Sequence, residues 1–214
     1  MSGTGVSAPE LAYNWVKNFI VSLPREQEAF LNEGAIADAA GTSRTPVREA
    51  LLRLEAEGFI RRVPHKGAYV PPISDPEVYS LIQARSVVEK WAVEAGRATI
   101  EYELGELQDL ITRQRDAGDN AQLFIELDIE FHGRMVRAAG NAILSDFYAS
   151  LRQRQLRIGV KALLSGTDRR RDVLQEHQDI VDAIRTGDSQ RAGQAIDAHL
   201  RSTAAVVIER TPVI

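Results

Sequence analysis

The stretch from Gly58 to Val70 limits the possible folds more than any other part of the chain. Up to Gly58 the apolar residues recur at helical spacing. Beyond it the period drops to two. Phe59-Ile60-Arg61-Arg62-Val63 reads as a strand, Pro64-His65-Lys66-Gly67 as a turn, and Ala68-Tyr69-Val70 as a returning strand. No strand pattern follows between Ser74 and the C-terminus. One short hairpin set between two helical stretches implies a mainly α protein with a single small β element.

The helices before the hairpin are expected at about 11–20, 32–40 and from Ser43 or Thr45 to Gly58. Gly41 and Gly58 stand at C-terminal caps and Pro46 in a first turn. Three helices followed by a hairpin is the plan of a winged helix-turn-helix, with Gly41-Thr42 as the turn. Pro71-Pro72-Ile73-Ser74-Asp75-Pro76 reads as a stiff linker. Six further helices are expected at about 75–99, 103–117, 121–139, 142–161, 169–186 and 189–209, forming an all-helical bundle. The expected domains are 1–71, which would bind DNA, and 72–214, which would bind a metal and an effector.

Composition removes several alternatives. The 214 residues include no cysteine, so disulfides, iron–sulfur clusters and thiol nucleophiles are excluded, and any metal must be held by His and carboxylates. No apolar run approaches the length of a membrane span, and no secretory leader pattern opens the chain. A cytoplasmic protein is expected. The net charge of −4 argues against nucleic acid as a partner, but its distribution does not. Arg44, Arg48, Arg53, Arg61, Arg62 and Lys66 face only Glu49, Glu55 and Glu57 within residues 44–66. The local field governs DNA affinity more than the total.

In a helix-turn-helix the start of the second helix of the pair enters the major groove. Ser43 and Thr45, with the backbone N–H groups there, can take phosphate, while Arg44 and Arg48 share one face and can reach guanine. His65, Lys66 and Gly67 form the wing tip, able to reach an adjacent groove. Two arginines alone equally describe a solvated helix face. The longer string Ser43-Arg44-Thr45-Pro46-Val47-Arg48-Glu49-Ala50-Leu51, then Leu54-Glu55-Ala56-Glu57-Gly58 and Gly67-Ala68-Tyr69-Val70, closely resembles the GntR family of bacterial regulators. That resemblance implies operator contacts from Arg44, Thr45, Arg48 and the wing near Gly67. The segment Leu23-Pro24-Arg25 departs from the Pro-Gly turn usual in the family, and Gly34 stands where some members carry a basic contact.

Three of the four histidines lie on apolar helical stripes: His132 among Phe124, Leu127, Phe131 and Met135, His177 beside Val173 and Ile180, and His199 beside Ile196 and Val206. Asp128 precedes His132 by one turn. Each histidine alone also fits a core residue bonded to a backbone carbonyl, and Asp128–His132 alone fits a surface pair. Together they can hold one divalent ion: zinc, or alternatively nickel, manganese or iron. The sequence Asp128-x3-His132, Ala138-Ala139-Gly140-Asn141, Glu176-His177, Gly187-Asp188 and His199-Leu200 resembles the FCD domain of the FadR subfamily of GntR regulators. In metal-binding members of that subfamily an Asp and three His at these spacings hold the ion, which implies Asp128, His132, His177 and His199 here. Arg85 is either a clamp for an effector carboxylate or an intrahelical partner of Glu89. Asn141 fits a helix cap. Glu176 is expected to face away from the metal.

The expected function is a DNA-binding transcription regulator, of repressor type. The resemblance further implies a homodimer on a palindromic operator of double-stranded DNA, and a small organic acid bound at the metal site would control its affinity. The competing readings are a metal-dependent enzyme and a pure metal sensor.

Overall fold

A computed structural model describes residues 6–63, 66–164 and 168–208. The chain divides into two compact units, Met1–Ser74 and Asp75–Ile214. Residues 72–74, expected to open the second domain, go with the first. Ile73 is buried, its N–H donates to the Arg25 carbonyl at 2.6 Å, and its own carbonyl accepts from Arg25 Nη1 at 3.1 Å. The segment that departs from the family's usual turn is thus held by a buried arginine.

In the first unit α1 spans Ala8–Ser22, α2 Glu33–Ala39 and α3 Arg44–Ala56. Asn32 caps α2 by accepting from the Gly34 N–H at 2.8 Å, the usual role of a short polar side chain there. Gly41, at φ 64°, makes the turn between α2 and α3, with the Thr42 N–H returning to the Ala37 carbonyl at 2.9 Å. Val16, Ile36, Val47, Leu51 and Leu54 meet in the core of this unit.

The sheet is antiparallel with order β1-β3-β2, where β1 is Ala29–Leu31, β2 Arg61–Val63 and β3 Gly67–Val70. The expected hairpin is β2–β3, but β2 starts at Arg61 rather than Phe59. Phe59 and Ile60 are both buried, so the alternation of a half-exposed strand begins only after them. β1 was not expected, because three residues are too few to show a period. It pairs Leu31 with Ala68. A Cβ on Gly67, whose φ is 106°, would stand 2.0 Å from the Leu31 carbonyl oxygen. Gly67 therefore permits the wing to close on β1.

The second unit is all helix among the described residues: α4 Asp75–Ala95, α5 Arg97–Asp116, α6 Ala121–Ala138, α7 Ala142–Ser150, α8 Arg152–Leu164, α9 Arg169–Arg185 and α10 Ser189–Ile208. Two expected boundaries are corrected. The first break falls at Gly96, not near 100–102, because Ile100 is needed in the core and a Cβ at Gly96 would lie 2.7 Å from Ala139 Cα. The single helix expected at 142–161 is two, divided at Leu151, with no Gly or Pro to signal it. Leu107, Ile111, Phe131, Ile180 and Ile196 join α5, α6, α9 and α10 in one core. No helix among the described residues is long and apolar enough to cross a membrane.

Candidate nucleic-acid interface and metal centre

Capping and sterics expose the start of α3. Ser43 is its N-cap residue, and no backbone donor uses its hydroxyl. Ser43, Arg44, Thr45 and Arg48 are all exposed. Arg44, Arg48, Lys66 and Gly67 line one cleft of ≈ 640 Å³, together with Arg62 of β2. Ser43 and Thr45 lie at the helix start but not in that lining, and His65 lies outside the described residues. Two carboxylates in the cleft hold the cations. Glu33 accepts from Arg48 Nε at 2.9 Å, and Glu55 pairs with Arg62 Nε at 2.5 Å while also accepting the Arg62 N–H. The hydrogen bond from Arg62 keeps the Glu55 carboxyl below its usual range. Arg62, counted only among the basic residues of 44–66, and Glu33, the first residue of α2, were not assigned to this site, because they meet α3 only through packing.

The second site is built on three helices. α6 supplies Asp128 and His132 one turn apart, α9 His177 and α10 His199. All four are buried, and one ligand atom from each lies within 4.8 Å of the others. His132 Nε2 and His177 Nε2 are 3.2 Å apart, and Asp128 Oδ1 lies 3.2 Å from His177 Nε2. Phe131 stacks on the His177 ring at 4.3 Å and fixes its plane.

The outward nitrogens decide the tautomers. Gln114 donates its amide to the Phe124 carbonyl at 3.2 Å, which turns its Oε1 to His177 Nδ1 at 2.9 Å. An amide oxygen only accepts, so Nδ1 carries the hydrogen. Burial pushes the His177 pKa down to about 3, so the ring holds one proton and Nε2 keeps its lone pair. His199 Nδ1 faces Glu176 Oε2 at 2.8 Å. His132 Nδ1 lies 2.7 Å from Glu89 Oε2, close but off the line of a straight hydrogen bond. Each ring turns Nδ1 to an acceptor, leaving Nε2 for the centre.

The inward nitrogens and the Asp128 carboxylate then form a set that can offer its lone pairs to one cation. At 3.2 Å such a set repels itself unless a cation lies among the atoms. Three imidazole nitrogens and a carboxylate oxygen, each held by an outer partner, fit a borderline divalent ion.

Glu176, expected to face away from the metal, lies outside the four-residue cluster, yet it holds the outer nitrogen of His199 and accepts from Arg169 Nη1 at 2.7 Å with its other oxygen. Glu89, expected only as the intrahelical partner of Arg85, also faces His132, and it unites both readings of Arg85. Arg85 Nε donates to Glu89 Oε1 at 2.8 Å, whereas Arg85 Nη2 has no partner. Arg85 also lines a small cavity of ≈ 20 Å³ bordered by Asp128 and His199. Asn141 caps α7, accepting from the Leu144 N–H at 3.1 Å.

Comparison with known proteins agrees with this architecture. Residues 80–202 match the FCD domain, and residues 11–70 match the bacterial regulatory proteins of the gntR family. An HTH-type transcriptional regulator in an unstable DNA locus of Streptomyces ambofaciens is 29% identical over 194 residues, covering 89% of this chain and 80% of that protein. A probable D-xylose utilization operon transcriptional repressor of Paenarthrobacter nicotinovorans is 28% identical, covering 79% of this chain and 75% of its own length. The solved structure of E. coli McbR/YncC superposes with a TM-score of 0.72 at 20% identity, over 96% of this chain and 99% of that one. The matched families and both relatives are regulators of transcription, not enzymes.

Proposed function

We propose that this chain, which belongs to the GntR family of bacterial regulatory proteins and carries its FCD domain, represses transcription as a homodimer on a palindromic operator. A small carboxylic acid bound beside a divalent metal in the helical unit changes its grip on DNA. The observation that carries this reading is the set of inward lone pairs from Asp128, His132, His177 and His199. These four residues hold the ion, zinc in the first place, with nickel, manganese or iron as alternatives. When bound, the ion supplies buried positive charge that favours an anionic ligand. The free Nη2 of Arg85 offers that ligand a charged donor.

On the DNA side, Arg44 and Arg48 read base edges in the major groove. Ser43, Thr45 and Lys66 take phosphates, and Gly67 keeps the wing close to the duplex. The repressor named for D-xylose utilization supports the sign of regulation. An effector shifts operator affinity only by binding two states of the regulator unequally. A sensor of metal alone is the second reading, and the small size of the cavity beside Arg85 favours it.

One experiment separates them. The purified chain is stripped with a chelator, reloaded with zinc and analysed for metal. Its operator affinity is then measured with and without candidate acids. About one zinc per chain is expected in the native protein and none in His177→Ala. Operator affinity should change on adding an acid to the zinc form. A native chain that retains no metal sinks the proposal, and a response to zinc but to no acid selects the sensor.

A further inference from the structure

Among the described residues, four buried polar atoms with no hydrogen-bond partner belong to side chains lining one cavity of the helical unit. They are Arg85 Nη2 from α4, Arg169 Nε from α9, and both amide atoms of Gln155 on α8. Buried polar groups in folded proteins are paired almost without exception, so a whole amide left idle beside two idle guanidinium nitrogens points to a missing ligand. Both arginines are held by their other nitrogens, Arg85 by Glu89, and Arg169 by Glu176, Ser202 and Thr203. Their idle nitrogens are therefore already positioned.

The charges limit what can enter. Around the cavity, the cations Arg85 and Arg169 stand against the carboxylates Glu89, Asp128 and Glu176. A divalent ion on the histidine cluster turns that single excess negative charge into a single positive one. One carboxylate neutralises it, and a second overfills it. Gln155 presents a donor and an acceptor on one planar group, the complement of a hydroxyl, which both donates and accepts. An ammonium would leave the Gln155 amide donor facing another donor and would add charge. Of the other polar walls, Thr203 is engaged by Arg169 and the His199 ring by Glu176, and Leu81, Ile125, Ile158 and Val173 are apolar, so further hydroxyls find few partners. A free volume of ≈ 20 Å³ takes about one water-sized group before the walls move.

Building on the effector reading above, we propose that the ligand is a small monocarboxylic acid bearing one hydroxyl. Its carboxylate lies toward Arg85, and its hydroxyl is read by Gln155. Gln155 is then the residue that sets specificity, since a site built to pair a hydroxyl rejects the analogue lacking it.

The test is calorimetric titration of the zinc-loaded full chain with lactate, propionate, malate and gluconate. Lactate should bind about tenfold or more tighter than propionate, with malate and gluconate weaker than lactate. In Gln155→Leu the lactate-to-propionate gap should close while propionate affinity and zinc content stay unchanged. That variant removes two idle polar atoms, so its melting temperature should not fall. Acids that bind without distinguishing lactate from propionate, or a gap that survives in Gln155→Leu, overturn this inference and leave the effector reading standing. Failure of every acid to bind the zinc form overturns both. Should Gln155→Leu fail to fold, the comparison of lactate with propionate on the native chain still decides.

Discussion

Glu89 holds three groups at once. One oxygen accepts from Arg85 Nε at 2.8 Å and from the Tyr148 hydroxyl at 2.7 Å, while the other faces His132 Nδ1 at 2.7 Å. Burial works against its charge, but Arg85 and His132 outweigh burial and keep the carboxyl ionised far below its usual range. Glu89→Gln strands the buried Arg85 charge, so a loss of about 3–5 kcal/mol is expected in urea denaturation. Zinc affinity should weaken by about 10–100-fold, measured by competition with a chelator. At the other site, Arg48 is exposed and shared with Glu33. Arg48→Ala should cost about 1–3 kcal/mol of operator binding and relax base preference, with unchanged affinity in a mobility-shift titration counting against its assignment. Residues at this scale differ in how far the sequence reveals them. His132, His177 and His199 show themselves because inward stripes carry a period. The contacts of Glu89, Gln114 and Glu176 with these rings do not, because each ring lies on another helix and becomes a neighbour only after packing.

Among the elements, the breaks carry the lesson. α1, α3, α6 and α9 are legible from apolar spacing and from caps such as Gly58. The α4–α5 junction is harder, because Gly96, the N-cap residue of α5, is a glycine on account of a tertiary contact. Its φ is −94°, an angle open to any residue. What requires glycine there is the approach of Ala139 Cα, 2.7 Å from where a Cβ would stand. Gly96→Ala should therefore destabilise the helical unit by about 1–3 kcal/mol through overpacking alone, read as a lowered denaturation midpoint with the slope unchanged. A midpoint equal to that of the native chain would show that α6 yields easily. The α7–α8 division and β1 have no local signal at all. Both arise from pairing and packing with distant segments, as when Leu31 meets Ala68.

The whole molecule consists of two compact units, and the four residues proposed to hold a metal all belong to one of them. Two thermal transitions are expected in calorimetry. Zinc at a hundredfold excess over its Kd should stabilise the helical unit by about 2.7 kcal/mol and leave the transition of the DNA-binding unit in place. A rise of both transitions together would mean that the units unfold as one. The division into units was legible because the hairpin and the prolines after it interrupt the helical pattern.

The four candidate ligands and their outer partners come from α4, α5, α6, α9 and α10, so five helices converge on one point. With an ion held there, its removal would undo the tie common to all five and make local openings more frequent. Proteases degrade a protein through such openings. The lifetime of the regulator in the cell would thus lengthen with metal supply and shorten with scarcity. Its abundance, as well as its affinity for DNA, would carry information about the metal. Limited proteolysis at matched protein concentration, with and without chelator, should show faster cleavage of the stripped form.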